Sequence, residues 1–445
     1  MTSGYVDEGR ELLGEVLRSI GLSLPRSRRR AIAGALWSRA RLSLRGTRVR
    51  RDAEADTAMK TRLAALWAVI QGSVGNDPFL MVEMAARYAR LALDCGASDH
   101  GARALGMEAY LVSFDGAGTQ ARNTALITRA SELAARARDP AVTGWVKLVH
   151  GSALVHEGRF TEGKRVLVDA LEWLTQRCRE VPFELAGVRV YRQDASFHLG
   201  EHAEVARMAP TLVEDALQRG DMYQAILLAT GFATPASFAH GGAELARPLL
   251  EGARRRIQRQ RHYQWSDYML LLAELSAGLY EGRYGEPLTL VDMQWSALEQ
   301  SQLLRLHICG AITHFACGGV ALAKLRTQRA TESADRARIA AHLRGLGRAR
   351  VSYAQGFSAL LEAGLALHER REAHAAERLR SAVAHLDASN MRMYAACARL
   401  RLGQLLGGDE GREWLDAAQS TFTIEGVLES EATADMFAPG CRTRP

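Results

Sequence analysis

The sequence predicts an all-α protein, a right-handed superhelix of about nine to ten stacked helical hairpins with no β-sheet. Three observations carry that expectation. Turn signals recur every 41–44 residues or so, near Asn76, Gly116 and Gly118, Gly158, Gly200, Gly241 and Gly242, Gly282, Gln328 and Arg370. Between them lie apolar stretches of helical period, and strand-like alternation is lacking. Proline is scarce, 10 residues in 445. Self-similarity at such a period marks an array in which each unit buries its apolar face against the next. A glycine at each turn suits a helix C-terminus that needs a left-handed residue.

The chain divides into three parts. Residues 1–60 read as a basic half-hairpin and helix, residues 61–390 as the repeat array, and residues 391–445 as closing helices and tail. Within the array the expected pairs are Thr143–His156 with Thr161–Arg177, Phe183–Leu199 with Ala203–Gln218, and Met222–Phe238 with Ala243–Gln258. Tyr263–Tyr280 with Pro287–Gln300, Leu304–Leu325 with Thr331–Leu346, and Ala349–Glu369 with Ala373–Leu386 follow. Tyr394–Leu406 and Glu410–Phe422 close the array. In Thr161–Arg177, Val166, Leu167, Ala170, Leu171 and Leu174 make one apolar stripe at helical spacing.

Gly158-Arg-Phe160 and Gly282-Arg-Tyr284 resemble the turn of tetratricopeptide repeats, although the period exceeds the ~34 residues of that family. A wider resemblance rests on two runs near the N-terminus, Val6-Asp-Glu-Gly-Arg-Glu-Leu-Leu13 through Gly21-Leu-Ser-Leu-Pro25 and Ala35-Leu-Trp-Ser-Arg-Ala-Arg-Leu42. It is continued by Arg261-His-Tyr263, Leu279-Tyr-Glu-Gly282, Leu402-Gly-Gln-Leu-Leu-Gly-Gly-Asp-Glu-Gly411 and Met436-Phe-Ala-Pro-Gly440. These resemble the C-terminal helical-repeat region of large bacterial serine/threonine protein kinases, in which a kinase domain and an AAA-type ATPase module precede the repeats. The resemblance implies a cytoplasmic, non-catalytic interaction or sensing region whose partner is a kinase/ATPase module in cis or in trans. The kinase motifs themselves are missing; Ser113-Phe-Asp-Gly116 only superficially matches the metal-binding Asp-Phe-Gly.

Charge is concentrated at the start. Residues 1–51 hold 12 arginines and four carboxylates, a local net of +8, whereas the whole chain nets +7. A patch including Arg28, Arg29 and Arg30 fits a nucleic-acid or acidic-partner site, but without aromatic interleaving or a binding module a solvated helix face is preferred. The apolar stripe Leu12, Leu13, Val16, Leu17 and Ile20 has no preceding hairpin partner, so Leu13, Leu17 and the arginines are expected at an interface. Either the polypeptide continues upstream or another chain covers that face. The N-terminus does not read as a signal peptide, no membrane span is expected, and six cysteines without framework spacing suit a reducing compartment.

Three motifs invite chemistry. Gly158-Arg-Phe-Thr-Glu-Gly163-Lys164 fits the start of a phosphate-binding loop, but Arg165 stands where Ser or Thr is needed. His198-Leu-Gly-Glu201-His202 fits an inverted zinc-protease signature, yet Gly200 occupies a turn, so two histidines flanking a solvent turn are expected. Cys309, Cys317, His307 and His314 spread around one helix. No catalytic residue, metal or cofactor is expected. The groove candidates are polar residues interrupting the first helices: Arg103, Glu108, Lys147, His150, Glu184, Arg189, Tyr191, Tyr223, Asp267 and Arg305. The occupant expected there is a peptide, a protein or a small ligand.

Overall fold

A computed structural model describes residues 14–15, 17–18, 28–49, 57–75, 77–257, 263–327 and 332–443. Among them lie 20 α-helices and no strand. They are α1 (Arg28–Arg45), α2 (Thr57–Ser73), α3 (Pro78–Cys95), α4 (Ser98–Ser113), α5 (Gln120–Ala134), α6 (Pro140–His156) and α7 (Phe160–Arg177). Then come α8 (Pro182–His198), α9 (His202–Gln218), α10 (Met222–Ala229), α11 (Ala233–Arg256), α12 (Trp265–Tyr280), α13 (Gly285–Ser301) and α14 (His307–Thr327). The chain closes with α15 (Glu332–Leu346), α16 (Ala354–His368), α17 (Glu372–Ala388), α18 (Arg392–Leu406), α19 (Gly408–Glu425) and α20 (Ser430–Phe437).

Local chemistry sets the helix ends. Asp77 caps α3 by accepting the Leu80 N–H at 3.0 Å, with Pro78 in the first turn. Asp139 and Pro140 do the same for α6, and Asp221 for α10. Each carboxylate accepts from an N–H donor that the first helical turn would leave unpaired. The turn ladder is a ladder of left-handed residues: Gly116, Gly158, Gly200 and Gly242, each 42 residues apart, then Gly282 and Arg370, have φ between 59° and 79°. Asn76 and Gln328 lie outside the described residues.

The expected helix Met222–Phe238 is broken. α10 stops at Ala229, Gly231 adopts φ 51°, and its N–H donates to the Met269 carbonyl at 3.1 Å. The chain then runs on as α11 through a bend at Gly242. A Cβ at Gly231 would lie 2.7 Å from Met269 Sδ, so the break seats this turn directly against α12. α20 is a helix that the periodicity did not announce.

First helices of successive hairpins pack side by side, α4 on α6, α6 on α8, α12 on α14 and α14 on α16, with the second helices outside them. Backbone hydrogen bonds then join turns far apart in sequence. The Trp265 N–H donates to Gly75 O (3.1 Å), His307 to Phe114 O (3.2 Å) and Ala117 to Arg350 O (3.0 Å). His240 meets the Glu425 carbonyl at 2.8 Å. The array therefore closes on itself. At its centre, Phe197 packs against Phe232, Tyr394 and Phe437, and Phe315 against Phe357 and Tyr394. The core runs as one cluster from Leu17 to Cys441, with a satellite of Ala216, Ala225 and Leu228. α14 is the one described helix long and apolar enough to cross a membrane, and 78% of that stretch is buried inside the protein.

The N-terminal stripe is only partly described. Leu13 lies outside the described residues, and Leu17, expected at an interface, is buried in the same core as Leu42. α1 lays Ala31, Ala35, Ser38 and Leu42 inward against α3 and leaves Leu36, Trp37 and Leu44 exposed. Arg30 is exposed on α1; the side chains of Arg28 and Arg29 are outside the described residues.

Candidate functional site

The first helices carry two apolar stripes each. One packs on neighbouring helices. On α4, α6 and α8 the other faces a cavity of about 860 Å³ lined chiefly by α3, α4, α6, α8, α10 and α12, within the ~300–1,000 Å³ that holds drug-sized molecules. On α8 the wall is Phe183, Ala186, Gly187, Val190, Tyr191 and Asp194, and on α6 it is Trp145, Leu148, Val149 and Ser152, both at i, i+3, i+4 spacing. Met107, Tyr110 and Leu111 do the same from α4. Tyr223, Leu227, Tyr263, Trp265, Met269 and Leu303 complete the far side. Asp115 and Arg219 are exposed and mark the open side, whereas Val149, Ser152 and Asp194 are buried and mark the inner end.

Aromatic geometry fixes this wall. The Tyr110 and Tyr191 hydroxyls share a 2.6 Å hydrogen bond, and Trp145 stacks on Phe183 at 6.0 Å. Tyr110 sits edge-on to Phe114 at 5.0 Å. Burial pushes the Tyr110 phenol up to about 12 and Tyr191 well above its ordinary value, so both stay protonated donors. The Tyr263 hydroxyl is buried without a hydrogen-bond partner among the described residues. Met81, Met107 and Met269 contribute adaptable surface.

Of the ten groove candidates, Tyr191 and Tyr223 lie in this wall. The structure ties most of the others to partners elsewhere. Arg103 pairs with Asp139 at 3.1 Å, Lys147 with Asp169, and Arg189 with Asp215 at 2.6 Å. Glu108 is buried between Arg39 and Arg122. Asp267 closes a capping box at the start of α12, accepting the Gln264 N–H at 2.8 Å. Glu184 is buried in the first turn of α8 and its carboxyl is pushed up by that burial. His150 is partly buried and its imidazole is pushed down for the same reason; Arg305 is exposed in a short 3₁₀ turn. Of these candidates, only the two tyrosines remain to face the cavity.

The tempting motifs resolve into each other. Lys164 of the glycine-lysine motif pairs with Glu201 and Glu204, the first of which belongs to the histidine motif. His198 ends α8 and stacks on Phe160 at 4.5 Å, while His202 begins α9 and stacks on Phe197 at 4.9 Å. Both histidines are buried, which corrects the expectation of a solvent turn: the Gly200 turn is pressed against Met393 and Arg392. Burial depresses His202 to about 3. Cys309 and Cys317 are buried on α14, His307 accepts the Arg350 N–H at 3.2 Å, and His314 meets His342 Nδ1 at 3.1 Å. Among the described residues no group of three or more His, Cys, Asp or Glu side chains converges as a metal site. In the basic patch, Arg39 serves Glu108, and Arg45 bonds Asp94 at 2.9 Å.

No family model, no curated protein and no solved structure matches the chain.

Proposed function

We propose that this chain is a non-catalytic sensing arm, a right-handed superhelix of tetratricopeptide-like hairpins that takes a small ligand in its central cavity. It would pass occupancy to a serine/threonine kinase and AAA-type ATPase module, in cis or in trans, as the resemblance of its turns and closing run implies. The observation that carries the reading is the cavity itself, about 860 Å³ walled by aromatic and methionine side chains from six helices. Six helices contributing to one wall make its occupant a bridge between repeats, so binding stabilises one arrangement of the array over others. A small molecule is favoured over a groove peptide because the centre beyond the cavity is filled by the chain's own Phe197, Tyr394 and Phe437.

The test is binding of N-phenyl-1-naphthylamine, an uncharged fluorescent probe, to the purified chain. Saturable enhancement with a raised melting temperature is expected, and Ala186→Trp, which fills the wall at α8, should abolish it while the helical circular dichroism is kept. Absence of saturable binding to the wild-type chain overturns the reading. The exposed Leu36, Trp37 and Leu44 of α1 supply an apolar surface for the kinase/ATPase partner. The competing nucleic-acid reading would gain from salt-sensitive duplex binding lost in Arg28/Arg29/Arg30→Ala. Stoichiometric zinc, or a melting shift with ATP, would revive an enzyme at His198 and His202 or at Lys164.

A further inference from the structure

The inner end of the cavity has a charge character of its own. Asp194, on α8, is buried and lines the cavity one turn beyond Tyr191. Its Oδ1 has no hydrogen-bond partner among the described residues, although His198 Nδ1 lies 2.8 Å away. That Nδ1 is also 3.0 Å from the Asp194 carbonyl oxygen. Of the two oxygens near that ring nitrogen, the carbonyl accepts the hydrogen bond and Oδ1 is left without one. His198 Nε2 is likewise buried without a hydrogen-bond partner among the described residues. The carboxylate is thus left with acceptor capacity at the buried edge of an aromatic chamber.

The two arginines in the wall are paired elsewhere. Arg39 is engaged by Glu108, and Arg219 by Asp215 and Gln224. The other two carboxylates are spoken for or solvated: Asp221 caps α10 and Asp115 is exposed. Around the inner end stand Tyr110 and Tyr191, rings whose faces attract a cation as well as an apolar body. A buried carboxylate with unused acceptors, beside aromatic faces, at the closed end of an apolar cavity is a receptor for an ammonium group.

Building on the cavity-binding function above, we propose that the ligand is a hydrophobic amine. Its apolar or aromatic body fills the space between α6, α8 and α12, and its protonated nitrogen donates to Asp194 beside the Tyr110–Tyr191 pair. An alcohol of the same shape loses the charge, and a carboxylate meets like charge in a site that water screens poorly.

The experiment displaces N-phenyl-1-naphthylamine from the full chain with 4-phenylbutylamine, 4-phenylbutanol and 4-phenylbutyrate. The amine should displace the probe at a concentration at least about tenfold below either analogue, as a charge-assisted bond of ordinary strength requires. In Asp194→Asn the amine's advantage over the alcohol and the carboxylate should shrink to within about threefold, all three competed against the probe at the variant's own probe affinity. Should Asp194→Asn fail to fold, the wild-type ranking of the three ligands decides alone. If the probe binds but the amine holds no advantage, or keeps it in a folded Asp194→Asn, the amine inference falls and the cavity function stands. If the probe does not bind the wild-type chain, the cavity function itself falls.

Discussion

His156, His202 and His342 are all depressed to about 3, in each case first of all by burial. A histidine whose folded value lies below its unfolded value of about 6.5 binds fewer protons in the native state. Its contribution is therefore complete above pH 6.5 and is lost as the pH falls toward 3. Each such group steepens the loss by up to ~1.4 kcal/mol per pH unit in that window. Buried carboxyls with raised values, Glu184 and Asp267 among them, act in the opposite sense, so the clean readout is a difference. Urea unfolding of the wild-type chain and of His202→Gln at pH 7 and pH 5 should show the variant losing less stability over that interval. Equal losses would mean that His202 is not held neutral. These burials were not legible in the sequence: His198 and His202 flank a glycine turn, and only the return of α18 against that turn makes it interior. The groove candidates show the same limit. Polarity on a first helix reveals that a residue needs a partner but not on which side the partner stands, which is why Arg189 found Asp215 on α9 and not the cavity.

At the scale of the element, the turn ladder was the most legible feature, because a left-handed residue after a helix is a local demand that glycine meets without help from the rest of the fold. The α10 break was not legible, since Gly231 is set by its contact with Met269 on another hairpin. Two glycines of the ladder separate conformational cost from contact. At Gly282, φ is 71° and the nearest side-chain atom to an added Cβ is 4.0 Å away, so Gly282→Ala should cost about 1 kcal/mol. At Gly200, φ is 79° and the added Cβ would lie 2.7 Å from the Met393 backbone nitrogen, so Gly200→Ala should cost about 3 kcal/mol. Denaturant midpoints of the two variants check this. Equal midpoints would mean that the turn between α8 and α9 does not seat against α18. The cavity stripe also had a signal, in first helices that are apolar on more than one face, and it passed as ordinary core. An apolar face toward a neighbour and one toward a void read alike in sequence.

The whole molecule is held by its last fourteen described residues. α20 lies against α12 and α18, and its Phe437 reaches Phe197, His202 and Tyr394. Beyond it, a Cβ at Gly319 of α14 would come 2.5 Å from Pro439, and one at Gly364 of α16 3.2 Å from the Gly440 carbonyl. The closing run that carried the family resemblance is therefore a wedge between inner helices. Arg401 anchors it: fully buried, it donates to the Glu431 carbonyl at 3.0 Å, to the Glu431 carboxylate at 2.5 Å and to Asp435 at 2.6 Å. Removing the guanidinium leaves Asp435, whose carboxyl burial already pushes up, with only the exposed Arg442 at 3.3 Å, so Arg401→Met should destabilise the chain by about 3 kcal/mol. Removing Asp435 as well should recover part of that loss, because the second substitution deletes the stranded charge. Truncation after Glu429 goes further, uncovering the Phe197, His202 and Tyr394 faces while leaving every hairpin complete. The truncated chain should keep its helical circular dichroism, melt at lower temperature and bind anilinonaphthalene sulfonate, whereas Arg401→Met should give a smaller version of the same change. A truncated chain that melts with the wild type and binds no dye would show that the array closes without its C-terminal wedge.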